Sequence, residues 1–152
     1  MIVLVKTLAD VEKWWPFFEE SVDVLNDLSG ARADITKAEL FDIVLRTING
    51  RDEEGQVAVL CSKNEKPLAY GITCDCTEVF GPKTWLILVA YTNGKQASSL
   101  VELLAFCEKQ ARSFGYKRLQ AHSRRITGAA MRLFEKKWGF ERHSIAFTKD
   151  IL

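Results

Sequence analysis

Few side chains in this sequence can move a proton near neutral pH, and three of them fall where strands should end. Asp75 and Glu78 follow an alternating segment, Leu68 to Cys74, and His122 closes a second one, Tyr116 to His122. A carboxylate or an imidazole at such a place is a candidate base for the proton that an attacking nucleophile releases. Each is equally an ordinary polar residue at a turn. Arg124 and Arg125 come next in the chain. Paired guanidinium groups suit a phosphate or a carboxylate, and they also suit a plain basic loop ahead of a helix. Of the four cysteines, Cys74 and Cys76 form a lone C-x-C, with no His or Cys pair nearby. A metal site needs about four ligands, so Cys61, Cys74, Cys76 and Cys107 are expected to be reduced thiols and no metal is expected.

Charge is spread unevenly. The net charge is +1, yet Met1 to Gly55 holds 6 Lys/Arg against 12 Asp/Glu, and Lys95 to Arg142 holds 11 against 4. The basic second half suits a phosphate-bearing ligand or a nucleic acid, or is simply a solvated surface. No RNA- or DNA-binding motif accompanies it, which places nucleic acid last among the partners. An apolar fraction of 47% and a charged fraction of 27% are those of a soluble globular chain. No apolar run approaches the ~20 residues of a membrane span. A single cytoplasmic domain over residues 1–152, without a membrane partner, is expected.

The elements that must position these groups follow from periodicity and caps. Ile2 to Val5 is a short strand. Thr7 caps a helix whose apolar residues Val11, Trp14, Trp15, Phe18, Val22 and Leu25 recur at helical spacing. Pro16 inside it marks a kink or the true start, and Ser29-Gly30 ends it. Trp14 and Trp15 point in different directions on a helix, so one of them is free to mark a partner or homodimer face. Thr36-x-x-Glu39 is a capping box with Ile35 and Leu40 at the staple positions. It opens a helix that buries Leu40, Phe41, Val44, Leu45 and Ile48 and stops at Asn49-Gly50. Gln56 to Cys61 and Leu68 to Cys74 are strands about a turn at Asn64 to Pro67. Leu68, Tyr70, Ile72 and Cys74 should share one face. Thr84 to Tyr91 is almost continuously apolar, which predicts a central strand covered on both faces. Ser99-x-x-Glu102 is a second capping box, and the helix behind it carries Leu100, Leu103, Leu104, Cys107, Ala111 and Phe114 to Gly115. Tyr116 to His122 is a strand, Ile126 to Trp138 a last helix, and Phe140 to Ile151 a returning strand.

The order β-α-α-β-β-β-α-β-α-β makes an α/β (α+β) mixed sheet with helices on both faces, and it resembles the GNAT acyltransferase superfamily over the whole chain. The local likeness runs from the apolar strand at Thr84 through the Asn93-Gly94-Lys95 turn and the helix ending at Gly115. It closes on Trp138-Gly139-Phe140, which is similar to the "lYeklGF" ending of that family. Short diverged proteins of this look also occur in tailed phages. The resemblance implies N-acetyl transfer from acetyl-CoA to an amine on a small molecule or a protein. Backbone groups of Leu88, Val89 and Ala90 would pair with the pantetheine arm. The pyrophosphate would sit on Asn93, Gly94, Lys95, Gln96, Ala97, Ser98 and Ser99, at a helix N-terminus, with Arg124 and Arg125 at the cleft mouth. The sequence departs from the family loop Q/R-x-x-G-x-G/A, since Asn93, Gln96 and Ser98 stand at the three motif positions. Phe134 or Glu135 occupies the place of the usual proton-donating Tyr. A GNAT-like binding protein without catalysis therefore stands beside the acetyltransferase as a second expectation.

Overall fold

The computed structural model describes residues 1–28, 35–93, 97–121 and 133–141. Five strands form one sheet in chain order: β1 (Ile2–Leu4), β2 (Gly55–Cys61), β3 (Pro67–Asp75), β4 (Thr84–Thr92) and β5 (Arg118–Ala121). The first three neighbouring pairs are antiparallel, and β4 and β5 run parallel. A parallel pair needs a crossover, which is helix α3 (Ala97–Ser113). Helices α1 (Leu8–Leu28) and α2 (Lys37–Asn49) pack on one face of the sheet and α3 on the other.

Local chemistry accounts for most boundaries. The Thr7 hydroxyl accepts from the Asp10 amide at 3.1 Å, and the Asp10 carboxylate accepts from the amides of Lys6 and Thr7 at 3.0 and 3.1 Å. These bonds satisfy donors that a helix start would leave open. Helix α1 runs on through Pro16, which is exposed, so the proline does not mark its start. Both arms of the Thr36/Glu39 box are made, at 3.1 and 3.0 Å, and Leu40 and Val44 are fully buried. Helix α3 ends on Gly115, whose φ of +81° favours glycine. There the Tyr116 amide reaches back to the Ala111 carbonyl at 2.9 Å, a 6→1 bond that closes the helix.

Four expectations are corrected. Ser99 is not a cap, because α3 begins two residues earlier at Ala97 and Ser99 lies buried in its first turn. Neither Trp14 nor Trp15 is free: Trp14 is buried, and Trp15 packs edge-on against Phe41 and bonds the Glu19 carboxylate. Strand β3 is buried on both faces from Ala69 to Thr73, so it is as central as β4. Finally, Leu68 does not share the face of Tyr70 and Ile72. The β2–β3 register passes from Leu60↔Ala69 to Cys61↔Pro67, so Leu68 is an extra residue in β3. That bulge turns Leu68 toward α3 together with Ala69. Of the last helix, the structure describes a π-helical turn over Leu133–Lys137. Phe140 and Glu141 carry no strand, and residues 142–152 lie outside the described part.

Candidate functional site

The second half of β4 is where the sheet changes character. The β3–β4 register runs Thr73↔Ile87 and then Ile72↔Val89, leaving Leu88 as an extra residue. Alternation inverts across it. Trp85 and Ile87 face α3, whereas Val89 and Tyr91 face α1 and α2. A bulge re-aims the side chains that follow it, and here it delivers Tyr91 to the opposite layer. The parallel ladder stops at the same point: among the described residues, β5 pairs with β4 only from Thr84↔Arg118 to Ile87↔Ala121. Beyond it β4 continues to Thr92, with Leu88 47% exposed and Val89 and Ala90 half-buried. The apolar run that predicted a strand covered on both faces is thus fully buried only from Thr84 to Ile87, with Tyr91 buried again beyond the bulge.

The strand leads toward the N-terminus of α3. The Asn93 amide donates to the Leu68 carbonyl at 3.3 Å, and its side-chain amide donates to the Pro67 carbonyl at 3.3 Å. Helix α3 then starts at Ala97, with Ser98 exposed and Ser99 buried. The structure therefore brings Leu88, Val89, Ala90, Asn93, Ala97, Ser98 and Ser99 to one end of the sheet. Gly94, Lys95, Gln96, His122, Arg124 and Arg125 lie outside the described residues.

Asp75 and Glu78 are not brought there. Asp75 pairs with Trp85, at the opposite end of β4. Four residues of strand separate Trp85 from Val89, about 13 Å at 3.3 Å per residue. Asp75 instead holds a turn together. Its carboxylate accepts from the Thr77 amide at 2.9 Å. Hydrogen bonds from the Thr77 hydroxyl first, then from its amide, with the Tyr116 phenol and the Lys83 charge nearby, hold it below the usual carboxylate range. Tyr116 completes this brace: its phenol donates to the Glu53 carbonyl at 2.5 Å, and the Lys83 ammonium sits 4.2 Å above its ring. Burial, then the neighbouring Asp75 carboxylate, pushes the Tyr116 phenol up. Glu78 is exposed in the same loop.

Two groups near the opening escaped sequence reasoning. Tyr91 ends the apolar strand, and its ring lies 5.4 Å from Phe17 and 5.7 Å from Tyr70. Burial, then the charge of Glu20, pushes its phenol up and keeps it neutral. Glu20 lies on α1, one turn past Phe17. The signal was hidden because the inversion at Leu88 decides which layer Tyr91 joins, and an all-apolar strand gives no sign of an inversion. Tyr70 anchors the group. Its hydroxyl lies 2.6 Å from Ser21 Oγ, which donates to the Phe18 carbonyl at 2.6 Å. Among the described residues no group of three His, Cys, Asp or Glu can hold a metal, and no helix is long and apolar enough to cross a membrane.

Solved structures share this architecture end to end. A probable acetyltransferase superposes with a TM-score of 0.75 at 12% identity, covering 100% of this chain and 98% of its own. An aminoglycoside 6'-N-acetyltransferase from Acinetobacter haemolyticus gives 0.69 at 12% identity, covering 99% of both. The chain has the GNAT fold. Glucosamine-6-phosphate N-acetyltransferase from Arabidopsis thaliana shares it as well, at 0.65 and 14% identity, covering 99% of this chain and 98% of its own. No family model and no curated protein sequence matches the chain. At such identities the likeness concerns the fold. The bulged stretch Leu88–Ala90 lies beyond the rungs that β4 makes with β5 among the described residues, and it is partly exposed.

Proposed function

We propose that the chain transfers an acyl group from an acyl-CoA to an amine. The observation that carries this reading is the coincidence at Leu88 of the β4 bulge with the last rung of the parallel β4–β5 ladder among the described residues. A strand that loses its partner inside a sheet leaves amides and carbonyls that need another partner. A pantetheine arm supplies alternating amides of that kind. The first amides of α3 are unsatisfied within the helix and carry the positive end of its dipole, which suits the pyrophosphate. Ser98, exposed in the first turn of α3, adds a hydroxyl donor there. The amine nitrogen attacks the thioester carbonyl, a β4 amide polarises the carbonyl oxygen, the carbon–sulfur bond breaks and the thiolate takes a proton.

A binding role without turnover is the second reading, favoured by Gln96 and Ser98 at the two loop-glycine positions and by the absence of a Tyr at 134 and 135. Thermal unfolding with and without millimolar acetyl-CoA tests both readings. Saturation at about 100 times the dissociation constant stabilises by ~2.7 kcal/mol, so no shift would sink the transfer reading. A shift without release of free thiol from acetyl-CoA in the presence of amines would leave the binding role alone.

A further inference from the structure

The end of β3 that carries Asp75 also sets two thiols side by side. Cys74 lies within β3, and the Cys76 amide donates to the Thr84 carbonyl at 2.9 Å, which carries the β3–β4 ladder just past the end of the strand. Alternation then puts Cys74 and Cys76 on the face of Tyr70 and Ile72, with Asp75 between them on the other. Both cysteines are reduced and half-buried. Further bonds hold the backbone around them. The Asp75 amide donates to the Glu54 carbonyl at 2.9 Å, the Asp75 carboxylate accepts from the Thr77 amide at 2.9 Å, and the Thr84 amide donates to the Thr77 hydroxyl at 3.0 Å. That framework fixes the spacing. Two residues of strand span about 6.6 Å, and the two Cβ atoms stand about that far apart. A disulfide holds its Cβ atoms at ~3.8 Å, so closing one here would pull Asp75 out of its bonds. An ion set between the sulfurs lengthens the bridge instead. Two metal–sulfur bonds of roughly 2.3 Å in line place the sulfurs about 4.6 Å apart, against ~2.0 Å in a disulfide. The increment raises the bridged Cβ spacing to ~6.4 Å, which is the spacing the strand provides.

The number of ligands selects the ion. The Asp75 carboxylate is engaged by Thr77 on the other face, and among the described residues no third His, Cys, Asp or Glu completes a cluster with the pair. Zinc, which takes about four ligands, is not served. Thiolate sulfur suits soft cations, and copper(I), a closed-shell ion, forms linear complexes with two sulfurs. We infer that Cys74 and Cys76 form a two-coordinate site for a soft monovalent cation, copper(I), held in line between their sulfurs. On binding, the cation exchanges two solvent ligands for the two sulfurs, each thiol gives its proton to solvent, and no electron is transferred. The site does not depend on the acyl-transfer reading.

Anaerobic titration of the full reduced chain with copper(I), in competition with bicinchoninate, tests the site. One copper(I) per chain is expected, with two sulfurs around it in X-ray absorption spectra. Cys61 and Cys107, 1% and 3% exposed, are too buried to compete. Cys74→Ser and Cys76→Ser should each weaken binding by ~100-fold or more, because a second ligand tethered to the first acts at high effective concentration. Thermal unfolding of the metal-free variants shows that they fold. Should either melt early, the sulfur count on the wild-type chain decides alone. A count of one sulfur, or of three or more, overturns the inference, and so does a folded serine variant that binds as tightly as the wild type. Treatment of the native chain with diamide tests the spacing separately. Cys74 and Cys76 are expected to remain open to alkylation, and rapid loss of both thiols to a disulfide between them would overturn the geometric argument.

Discussion

Ser21→Ala should cost more than Tyr70→Phe, and adding the second change to the first should restore stability. The reason lies in one proton. Ser21 has a single hydroxyl hydrogen and directs it to the Phe18 carbonyl at 2.6 Å, so Tyr70 must donate to Ser21 Oγ, also at 2.6 Å. Both residues are 0% exposed. Burial pushes the Tyr70 phenol up to about 12, so it remains a donor at any working pH. Removing the Ser21 hydroxyl leaves that donor buried and unsatisfied, at about 2 kcal/mol within the range of ~1–3 for such groups. Removing the Tyr70 hydroxyl leaves Ser21 still bonded to Phe18, and only the net worth of one bond is lost, about 1 kcal/mol. With both gone, no polar atom is stranded and the loss returns to about 1 kcal/mol. The coupling in the cycle is therefore about −2 kcal/mol. For a chain of this size 1 kcal/mol moves Tm by ~2–4 °C. Ser21→Ala should lower Tm by ~4–8 °C, and the double variant should recover about half of that. Urea denaturation and calorimetry of the four proteins measure the cycle. A double variant less stable than Ser21→Ala alone would refute the assignment of donor and acceptor.

Two further outcomes follow from the far end of the sheet. A Cβ on Gly55 would lie 2.8 Å from the Thr73 carbonyl oxygen, a backbone atom that cannot yield cheaply, whereas on Gly50 the nearest atoms are 3.6 Å away. Gly55→Ala should therefore lose ~1–3 kcal/mol and Gly50→Ala well under that, as read by urea midpoints; equal losses would count against the packing described. Asp75 has a folded pKa below its unfolded value of about 3.9. Its contribution is present above that value and is lost as pH falls through the folded pKa. The stability gap between wild type and Asp75→Asn should be open at pH 7 and narrow as pH falls below about 3.9, and a gap independent of pH would contradict the Thr77 contact.

Local signals carried the fold a long way. The Thr36/Glu39 box, the Asn49-Gly50 stop and Gly115 each act within a few residues, so their effect is written beside them. Strand β4 was legible as a strand for the same reason. Its unequal cover was not, because Leu88 looks like its apolar neighbours and a bulge arises from how two strands fall into register. The same holds for Leu68, which reads as one more member of an alternating row. Asp75 misled in another way. A carboxylate at a strand end looks the same at either end of a sheet, and only the antiparallel return of β4 shows that this end carries the Tyr116 brace. Ser99 matched a cap motif that helix α3 overrides by starting earlier.

The inversion at Leu88 constrains how the length of this strand can drift over evolutionary time. Downstream of it, side chains serve the right layers only because the count of residues is odd by one. Loss or gain of a single codon between Trp85 and Tyr91 would exchange the two layers for everything that follows, while loss or gain of two would preserve them. Descendants of this gene should therefore vary here in even steps, and an odd step should be found only with a compensating one beside it.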